Sequence, residues 1–345
     1  MKGSKNGRIV VTGGAGLIGS ALVWQLNRLG IDDAIVVDRL ATSEKWRHLV
    51  PLRFTDYLEA DDFYARIAST PDAFGPIDGV YHLGACSATT ERDAAYLVRN
   101  NLGASQAIAR WALARDARFV YASSAATYGA LERELREDLD PHSLRPLNMY
   151  GYSKHLFDLW AQREGILDRI VGIKYFNVFG PNEDHKGDMR SVVAKACESI
   201  AADGVIRLFR SYRSGIGDGE QTRDFLYVKD AVAITAHLGM TQAANGLFNV
   251  GAGIARTWND LARAIFAALE RPATIEYVPM PDALREKYQY RTEATIARLR
   301  ASGYAAPIAS LEDAVRDYVR NYLVPRALLG SASAESPEPM LSATR

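Results

Sequence analysis

The chain has little cysteine and no residue spacing typical of a bound metal. Its 345 residues include two cysteines, Cys86 and Cys197, which stand far apart in the sequence. None of the six histidines is spaced from another like a zinc-binding pair. A disulfide scaffold and a metal site are therefore not expected, and a reducing compartment suits the chain.

Long apolar runs and an excess of one charge are also absent. Lys and Arg together number 41, and so do Asp and Glu, so the overall charge attracts neither nucleic acid nor an anionic membrane. No apolar stretch is long enough to span a bilayer, and no segment of signal-peptide length follows the polar first residues. We expect a cytoplasmic protein that acts on a small molecule, without nucleic-acid or membrane partners.

Short β-branched runs alternate with longer helical patterns through the first half of the chain. Residues 9–11 and 35–37 are apolar without alternation, as in strands that are covered on both faces. The pattern predicts strands at Arg8 to Thr12, Ala34 to Asp38, Gly79 to Leu83, Arg118 to Ser123 and Ile170 to Phe176, and helices at Ile18 to Leu29 and Ala94 to Ala114. Such alternation is typical of an α/β fold with a doubly wound parallel sheet.

Glycines cluster directly after the first predicted strand. The segment Gly13-Gly14-Ala15-Gly16-Leu17-Ile18-Gly19 leads into a helix, and the second strand ends at Asp38, about 20 residues further on. Glycines alone are typical of any tight strand-to-helix turn, but here the strand, the spacing and the acid occur together. They predict a Rossmann fold that binds a dinucleotide, with its diphosphate at the helix N-terminus. Arg39 and Lys45 lie where either could neutralise a 2′-phosphate, so NADP is expected, with NAD as the alternative.

The pattern changes after Asn177. Gly, Pro and charged residues separate short apolar clusters, with strand-like runs at Phe225 to Val228 and Phe248 to Val250 and helical patterns at Trp258 to Leu269 and Leu311 to Leu323. We predict a dinucleotide-binding domain over residues 1–176, with contributions from about 225–250. Residues 177–224 and 251–326 are predicted to form a smaller, discontinuous α/β substrate-binding lobe. The Ser, Ala, Glu and Pro-rich residues 330–345 are predicted to be disordered.

Tyr150 and Lys154 are the first candidate catalytic pair. Residues four apart share one face of a helix, and Tyr152 has only Leu156 at that offset. A nearby ammonium and a positive nicotinamide ring favour the phenolate, so Tyr150 could move a hydroxyl proton. Ser124 directly follows the predicted strand at Arg118 to Ser123, at the carboxyl end where ligands bind in such sheets. Taken alone, the pair is also typical of a helix surface; the glycine loop and Ser124 favour catalysis.

Several segments together resemble a known family, the extended short-chain dehydrogenase/reductases that act on sugar nucleotides. The similarity runs from Ile9 to about Leu323 and is most specific in residues 84–90, Tyr121 to Gly129, Pro146 to Lys154, Tyr175 to Pro181 and the step His185-Lys186-Gly187. Residues 84–90 and the His-Lys-Gly step are similar to the group that acts on an ADP-linked heptose. The resemblance implies epimerisation at C6″, through transient oxidation to a ketone and return of the hydride.

The resemblance also implies residue roles. Tyr150 matches the first acid/base and Lys186 the second, Ser124 the hydroxyl that orients the sugar, and Lys154 the residue that holds the cofactor ribose. For Lys186 the alternative is a solvated loop lysine, because its acidic sequence neighbours would raise its pKa. A homo-oligomer is implied as well.

Further residues are expected at the two ligands. The cofactor set is Gly13, Gly16, Leu17, Ile18, Gly19, Asp38, Arg39, Lys45, Leu83, Gly84, Ala85, Cys86, Ser87, Asn100, Lys154 and Val178. The ADP-sugar set is Ser124, Asn177, Asp188, Lys195, Phe209, Arg223 and Tyr288. Arg223 can grip two diphosphate oxygens, or instead form a salt bridge with Asp224.

This sequence departs from the family pattern at several positions. Asp188 and Lys195 stand where Ser and His are more common, and Ala60 stands where a lysine can hold a 2′-phosphate. Residues 214–220 form an insertion of unknown role.

Two other functions stay open. One is another sugar-nucleotide epimerase or dehydratase, such as a UDP-hexose 4-epimerase; a dehydratase would carry acidic residues beside Ser124, where this chain has Ala125-Ala126-Thr127. The other is a dinucleotide-sensing protein without catalysis, which would need neither Tyr150 nor Lys154.

Overall fold

A seven-stranded parallel sheet forms the centre of the computed structural model, which describes residues 7–285 and 288–332. The strands are β1 Arg8–Thr12, β2 Ala34–Asp38, β3 Asp56–Glu59, β4 Ile77–His82, β5 Arg118–Ser124, β6 Val171–Tyr175, β7 Asn177–Phe179, β8 Ile206–Phe209, β9 Thr222–Tyr227, β10 Gly246–Val250, β11 Ala255–Thr257 and β12 Ile275–Val278. The main sheet has the order β10-β6-β5-β4-β1-β2-β3, and two small sheets have the orders β11-β9-β7 and β12-β8. The predicted α/β fold with a doubly wound parallel sheet is confirmed.

Helices cover both faces of the main sheet and build the rest of the chain. They are α1 Leu17–Arg28, α2 Ala60–Ser69, α3 Ala94–Leu97, α4 Ala104–Leu113, α5 Met149–Arg163, α6 Val192–Asp203, α7 Val228–Met240, α8 Trp258–Ala268, α9 Asp282–Arg285, α10 Ala297–Ala301 and α11 Leu311–Tyr318. Among the described residues, no helix has the length and apolar character that a membrane crossing requires.

The strands of the main sheet are buried on both sides. Val10 and Ile35 pack with Phe63 in one core, whereas Val11 and Val36 pack in the core on the other face. Alternate residues of a strand point to opposite faces, so an unbroken apolar run fills two cores at once. Each buried side chain of this kind contributes roughly 1.5–3 kcal/mol to folding.

The order of the strands determines where a site can form. The chain runs outward from β1 through β2 to β3, then returns and starts again on the other side of β1 with β4. The connections that follow β1 and β4 therefore run in opposite directions. A crevice opens at the carboxyl ends of these two strands, where doubly wound sheets bind ligands.

Some elements differ from the sequence-based expectation. β3 was not predicted, because it is an edge strand in which only Leu58 is buried. The single helix expected over Ala94 to Ala114 is α3 and α4 joined by a π-helical segment at Val98–Gly103. Of the run at Phe225 to Val228, the first three residues belong to β9 of a small sheet and Val228 begins α7, whereas residues 246–250 form β10, an edge strand of the main sheet. Residues 333–345 of the predicted disordered tail lie outside the described residues.

Candidate active site

The glycine loop after β1 is packed too tightly for side chains. Gly13 has a φ of +68°, and a Cβ on it would lie 2.6 Å from the Gly84 nitrogen. A Cβ on Gly19 would lie 2.0 Å from the Gly13 oxygen. Only glycine fits at both positions, and without side chains the loop can turn tightly enough to bring its backbone close to a diphosphate.

The start of α1 offers a positive end to that space. Gly16, the N-cap residue before α1, has no side chain to cap the helix, and the first turn of α1 holds no acidic residue. Asp38, at the end of β2, accepts hydrogen bonds from the Ala15 nitrogen at 2.8 Å and from Lys45 Nζ at 2.7 Å. Helix N-terminal N–H groups attract anions, so the loop fits the diphosphate of a dinucleotide.

The substitution Gly19→Ala tests this loop. We expect it to weaken dinucleotide binding by about fivefold to a hundredfold, because the new methyl overlaps the Gly13 carbonyl at a cost of roughly 1–3 kcal/mol. Isothermal titration with NADP and NAD measures the change. Gly103→Ala is the control, since a Cβ there lies 3.8 Å from the nearest atom; equal dissociation constants for the two variants would contradict the assignment.

A cavity of about 400 Å³ opens beside the loop and brings most predicted residues together. All four candidate catalytic residues line it: Ser124, Tyr150, Lys154 and Lys186. So do twelve of the other cofactor candidates: Gly13, Gly16, Leu17, Ile18, Gly19, Asp38, Lys45, Leu83, Gly84, Ala85, Ser87 and Val178. Thr89, Ala122, Ser123, Tyr175, Phe176 and His185 also line it without having been proposed as site residues.

Arg39, Cys86 and Asn100 do not line this cavity. The Arg39 guanidinium donates to Asn100 Oδ1 and to Asp61 Oδ1, both at 2.6 Å. The backbone of Cys86 is held by the side chain of Asn101, which lies in the π-helical segment. The π-helical turn thus places two asparagines against the cofactor side of the sheet.

Helix α5 presents Tyr150 and Lys154 one turn apart. The N-cap Asn148 accepts a hydrogen bond from the Gly151 nitrogen at 2.8 Å, which fixes where the helix begins. Lys154 Nζ donates to the Ala122 carbonyl of β5 at 2.9 Å. Burial lowers the pKa of Lys154 to about 8, although Asp158 acts in the opposite direction.

Tyr150 behaves differently from the sequence-based expectation. Burial raises its pKa above the ordinary value, a hydrogen bond with Ser124 lowers it, and Cys86 raises it further. The protein alone therefore holds Tyr150 as a neutral phenol, because desolvation disfavours the phenolate. The other charge expected to favour the phenolate, that of the nicotinamide ring, would come from the cofactor and not from the protein.

A buried polar network lies beneath Ser124 and was missed from the sequence. Asp158 accepts hydrogen bonds from Lys174, Ser123 and Tyr121, each at 2.9 Å. Lys174 also donates to Thr127 at 2.6 Å. The network joins α5, β5 and β6 at the catalytic edge. Its one sequence signal is that Asp158 continues the four-residue spacing of Tyr150 and Lys154.

Lys186 lies on a short 3-10 segment, Asp184–Met189. Its pKa is lowered by burial, and only Glu183 opposes this shift. The neighbouring Glu183 does raise the pKa as expected, but burial outweighs it, so the net shift is downward. Glu183 accepts from Ser191, and Asp184 binds His48. A lowered pKa increases the fraction of neutral amine available for proton transfer.

The candidate substrate residues divide into two groups. Ser124 and Asn177 line the cavity, whereas five others do not: Asp188, Lys195, Phe209, Arg223 and Tyr288. Phe209 ends β8. Lys195 Nζ donates to the Asp188 carbonyl at 3.2 Å in an exposed hydrogen bond.

Arg223 is buried among aromatic rings. Its guanidinium carbon lies 4.9 Å from the centroid of Tyr288 and 5.7 Å from that of Trp258. The alternative salt bridge with Asp224 is not formed, since Asp224 accepts from the nitrogens of 252, 253 and 294 instead. Neighbouring residues of β9 point to opposite faces, which separates the two charges.

The insertion at 214–220 is attached to α8. Asn259 Nδ2 donates to the Asp218 carbonyl at 3.0 Å and to Glu220 at 2.5 Å. A Cβ on Gly219 would lie 2.2 Å from Asn259 Oδ1, so this end of the loop packs closely on the helix.

Comparison with known proteins identifies the family of the chain. The NAD dependent epimerase/dehydratase family model matches residues 9–251. The ADP-L-glycero-D-manno-heptose-6-epimerase of Nitratidesulfovibrio vulgaris is 54% identical, over 91% of this chain and 97% of that protein. The enzyme of the same name from Fusobacterium nucleatum is 42% identical, over 91% of this chain and 98% of that protein.

Solved structures show the same architecture. Helicobacter pylori ADP-L-glycero-D-manno-heptose-6-epimerase has a TM-score of 0.77 and 25% identity, over 91% of this chain and 96% of that one. Thermus thermophilus UDP-glucose 4-epimerase, in complex with NAD, has a TM-score of 0.71 and 24% identity, over 90% and 97%. The chain belongs to the NAD dependent epimerase/dehydratase family, in which ADP-L-glycero-D-manno-heptose-6-epimerases are its relatives.

Proposed function

We propose that the protein is an ADP-heptose 6-epimerase, which converts ADP-D-glycero-D-manno-heptose into ADP-L-glycero-D-manno-heptose. The observation that carries the proposal is one cavity lined by the glycine loop, by Tyr150 and by Lys186. Inversion of a carbinol carbon needs proton transfer on two sides, and these two residues reach the cavity from separate segments, α5 and the 184–189 segment. The 54% identical relative bears the same activity in its name.

The residues of the cavity have distinct tasks in this reaction. A nicotinamide cofactor, held by the glycine loop, would supply the oxidation and reduction of C6″ when bound. Tyr150 moves the proton of the C6″ hydroxyl on one side, and Lys186 moves it on the other. Ser124, which hydrogen-bonds Tyr150, orients the reacting oxygen. Lys154, whose Nζ donates to the Ala122 carbonyl, would hold the cofactor ribose.

We propose NADP as the cofactor, with NAD as the alternative. The carboxylate of Asp38 already accepts from the nitrogens of Ala15 and Arg39 and from Lys45, which leaves it fewer free lone pairs for ribose hydroxyls. Arg39 and Lys45 supply positive charge beside it for a 2′-phosphate. Dissociation constants for NADP and NAD, measured on protein freed of nucleotide, distinguish the two.

The ADP-sugar is proposed to extend from the cavity into the second lobe, residues 177–224 and 251–326. Arg223 would bind the diphosphate, because a guanidinium can donate to two oxygens and the rings of Tyr288 and Trp258 hold it in place. Asn177, Phe209, Asp188 and Lys195 complete the proposed contacts. Cofactor binding is assigned to residues 1–176 with about 225–250.

A substrate comparison tests the proposal. The protein is incubated separately with ADP-D-glycero-D-manno-heptose, UDP-glucose and dTDP-glucose, and the products are identified by NMR. We expect inversion at C6″ of the ADP-heptose alone. Turnover of only the two hexose nucleotides would overturn the assignment, and turnover of none would favour a dinucleotide sensor.

Another epimerase or dehydratase is the second candidate. Its fold is shared, as the Thermus thermophilus UDP-glucose 4-epimerase shows. The residues after Ser124 argue against a dehydratase, since Ala125–Tyr128 forms a 3-10 turn without a carboxylate. We also propose that the protein is a homo-oligomer, which light scattering tests, and that it is cytoplasmic, which cell fractionation tests. Its proposed place is in lipopolysaccharide inner-core precursor synthesis, which a gene-deletion strain tests.

A further inference from the structure

His48 connects two loops of the candidate site although it does not line the cavity. It lies in the 3-10 segment Glu44–Leu49 and is fully buried. Its Nδ1 is 2.8 Å from the carbonyl oxygen of Ala15, in the glycine loop. Its Nε2 is 2.6 Å from Oδ1 of Asp184, which begins the segment that carries Lys186. The single ring therefore spans between the cofactor loop and the Lys186 segment.

Both partners of the ring are hydrogen-bond acceptors. A backbone carbonyl accepts and never donates. The hydrogen bond from His48 lowers the pKa of Asp184 below its usual range, so Asp184 is a carboxylate at neutral pH and also only accepts. The ring can bridge the two because either of its nitrogens can carry a donor hydrogen. The hydrogen bond to the Asp184 carboxylate is charge-assisted and therefore stronger than a neutral one.

The surroundings of the ring support this arrangement. Ala15 donates its N–H to Asp38 and accepts from His48, so one residue of the glycine loop is held on two sides. The ring of His185 contacts His48 edge to face, with centroids 5.2 Å apart, and His185 lines the cavity beside Lys186. His48 is thus connected to Lys186 through His185, the residue that precedes Lys186.

The spacing of these side chains suits a hydrogen bond better than a shared metal ion. His48, Asp184 and His185 have the composition of a metal site, with potential ligand atoms within 4.8 Å of one another. Two ligands of one zinc ion lie about 3.4 Å apart when the bonds are near 2.1 Å. The 2.6 Å between Nε2 and the Asp184 oxygen is a hydrogen-bond distance.

We propose that His48 is a positioning residue that ties the 184–189 segment, and with it Lys186, to the glycine loop. The inference rests on the proposed function only where Lys186 acts on the sugar. The physical tie between the two loops does not depend on the substrate. Small displacements of a reacting group cost catalysis about a hundredfold, so loss of the tie should be visible in turnover.

Two substitutions separate the two contacts of the ring. In His48→Asn the amide nitrogen stands near the place of Nδ1, so the contact with Ala15 is kept and that with Asp184 is lost. In His48→Gln the amide nitrogen stands near the place of Nε2, so the contact with Asp184 is kept and that with Ala15 is lost. Asp184→Ala removes the second contact from the other side, and its side chain is 56% exposed, so the fold tolerates the change.

The full-length protein is loaded with NADP, and amide hydrogen exchange is measured over residues 184–189. We expect exchange there to rise at least tenfold in His48→Asn and Asp184→Ala, with the NADP dissociation constant changed less than threefold. His48→Gln should instead weaken NADP binding about tenfold. With ADP-heptose as substrate, kcat should fall about tenfold to a hundredfold in His48→Asn and in Asp184→Ala, and KM should not change. The double variant His48→Asn/Asp184→Ala should have a kcat no lower than that of either single variant, because both substitutions remove the same contact.

The controls keep a general loss of stability apart from the proposed role. His142→Asn alters an exposed histidine outside the cavity and should match the parent in every measurement. Thermal unfolding of all variants is recorded; equal losses of NADP affinity, exchange protection and kcat in the Asn and Gln variants would overturn the positioning role. Unchanged exchange at 184–189 in His48→Asn and Asp184→Ala, or one zinc ion bound per chain, would overturn it as well. If the parent protein fails to turn over ADP-heptose, the exchange and NADP measurements still decide the inference.

Discussion

Replacing Tyr150 with Phe should lower kcat for ADP-heptose by about 10²- to 10⁴-fold, the range that one general acid/base supplies. Phenylalanine keeps the ring packing at the start of α5 and removes only the hydroxyl that exchanges the proton. NADP affinity should stay within about twofold, because Lys154 and the glycine loop remain. Turnover is measured by NMR of the C6″ epimers, and binding by titration.

Tyr152→Phe is the matched control for this substitution. Tyr152 lies on the same helix two residues later, and 45% of its surface is exposed, so it points away from the buried face of Tyr150. Removal of its hydroxyl should leave kcat unchanged. A Tyr150→Phe protein with turnover close to that of the parent would refute the role of Tyr150 in proton transfer.

Replacing Lys186 with Met should stop inversion to a similar extent, a loss of about 10²- to 10⁴-fold in kcat. Methionine has a similar length and suits the half-buried position, but it carries no proton. Burial lowers the pKa of Lys186, which favours release of its proton, so the loss should fall on proton transfer rather than on sugar binding. The measurement is kcat and KM with ADP-heptose, together with NADP affinity, which should not change.

Lys186→Arg distinguishes proton transfer from a simple electrostatic role. Arginine keeps the positive charge but does not give up its proton in proteins. If Lys186 exchanges a proton, the arginine variant should be as inactive as the methionine variant. Substantial activity in Lys186→Arg would show that a fixed charge is sufficient and would remove Lys186 from the acid/base mechanism.

The parts of the site that were predicted from the sequence depend on short chain distances. The glycine loop, β1 and β2 lie within the first 38 residues, and both strands have the predicted bounds. Tyr150 and Lys154 share a helix face because of their spacing alone. Local spacing and apolar periodicity carry this information, since the backbone geometry of strands and helices translates spacing directly into position.

Other features depend on residues that meet only after folding. His48 and Asp184 are 136 residues apart in the sequence, and nothing near either of them indicates the contact. Arg223 and Asp224 are neighbours in sequence, yet β9 turns them to opposite faces and gives them separate partners. The edge strand β3 lacks an apolar run because one face of it has little to cover.

By itself, the sequence determined the doubly wound α/β fold, the dinucleotide loop and the candidates Ser124, Tyr150 and Lys154, because these follow from periodicity, glycine positions and residue spacing; Lys186 was named only by the family resemblance of the step His185-Lys186-Gly187. Only the tertiary structure decided the direction of the pKa shifts, the partners of Asp184 and Asp224, and the buried network around Asp158. The physical reason is that desolvation and long-range hydrogen bonds are properties of the packed interior, in which distant segments exclude water from one another.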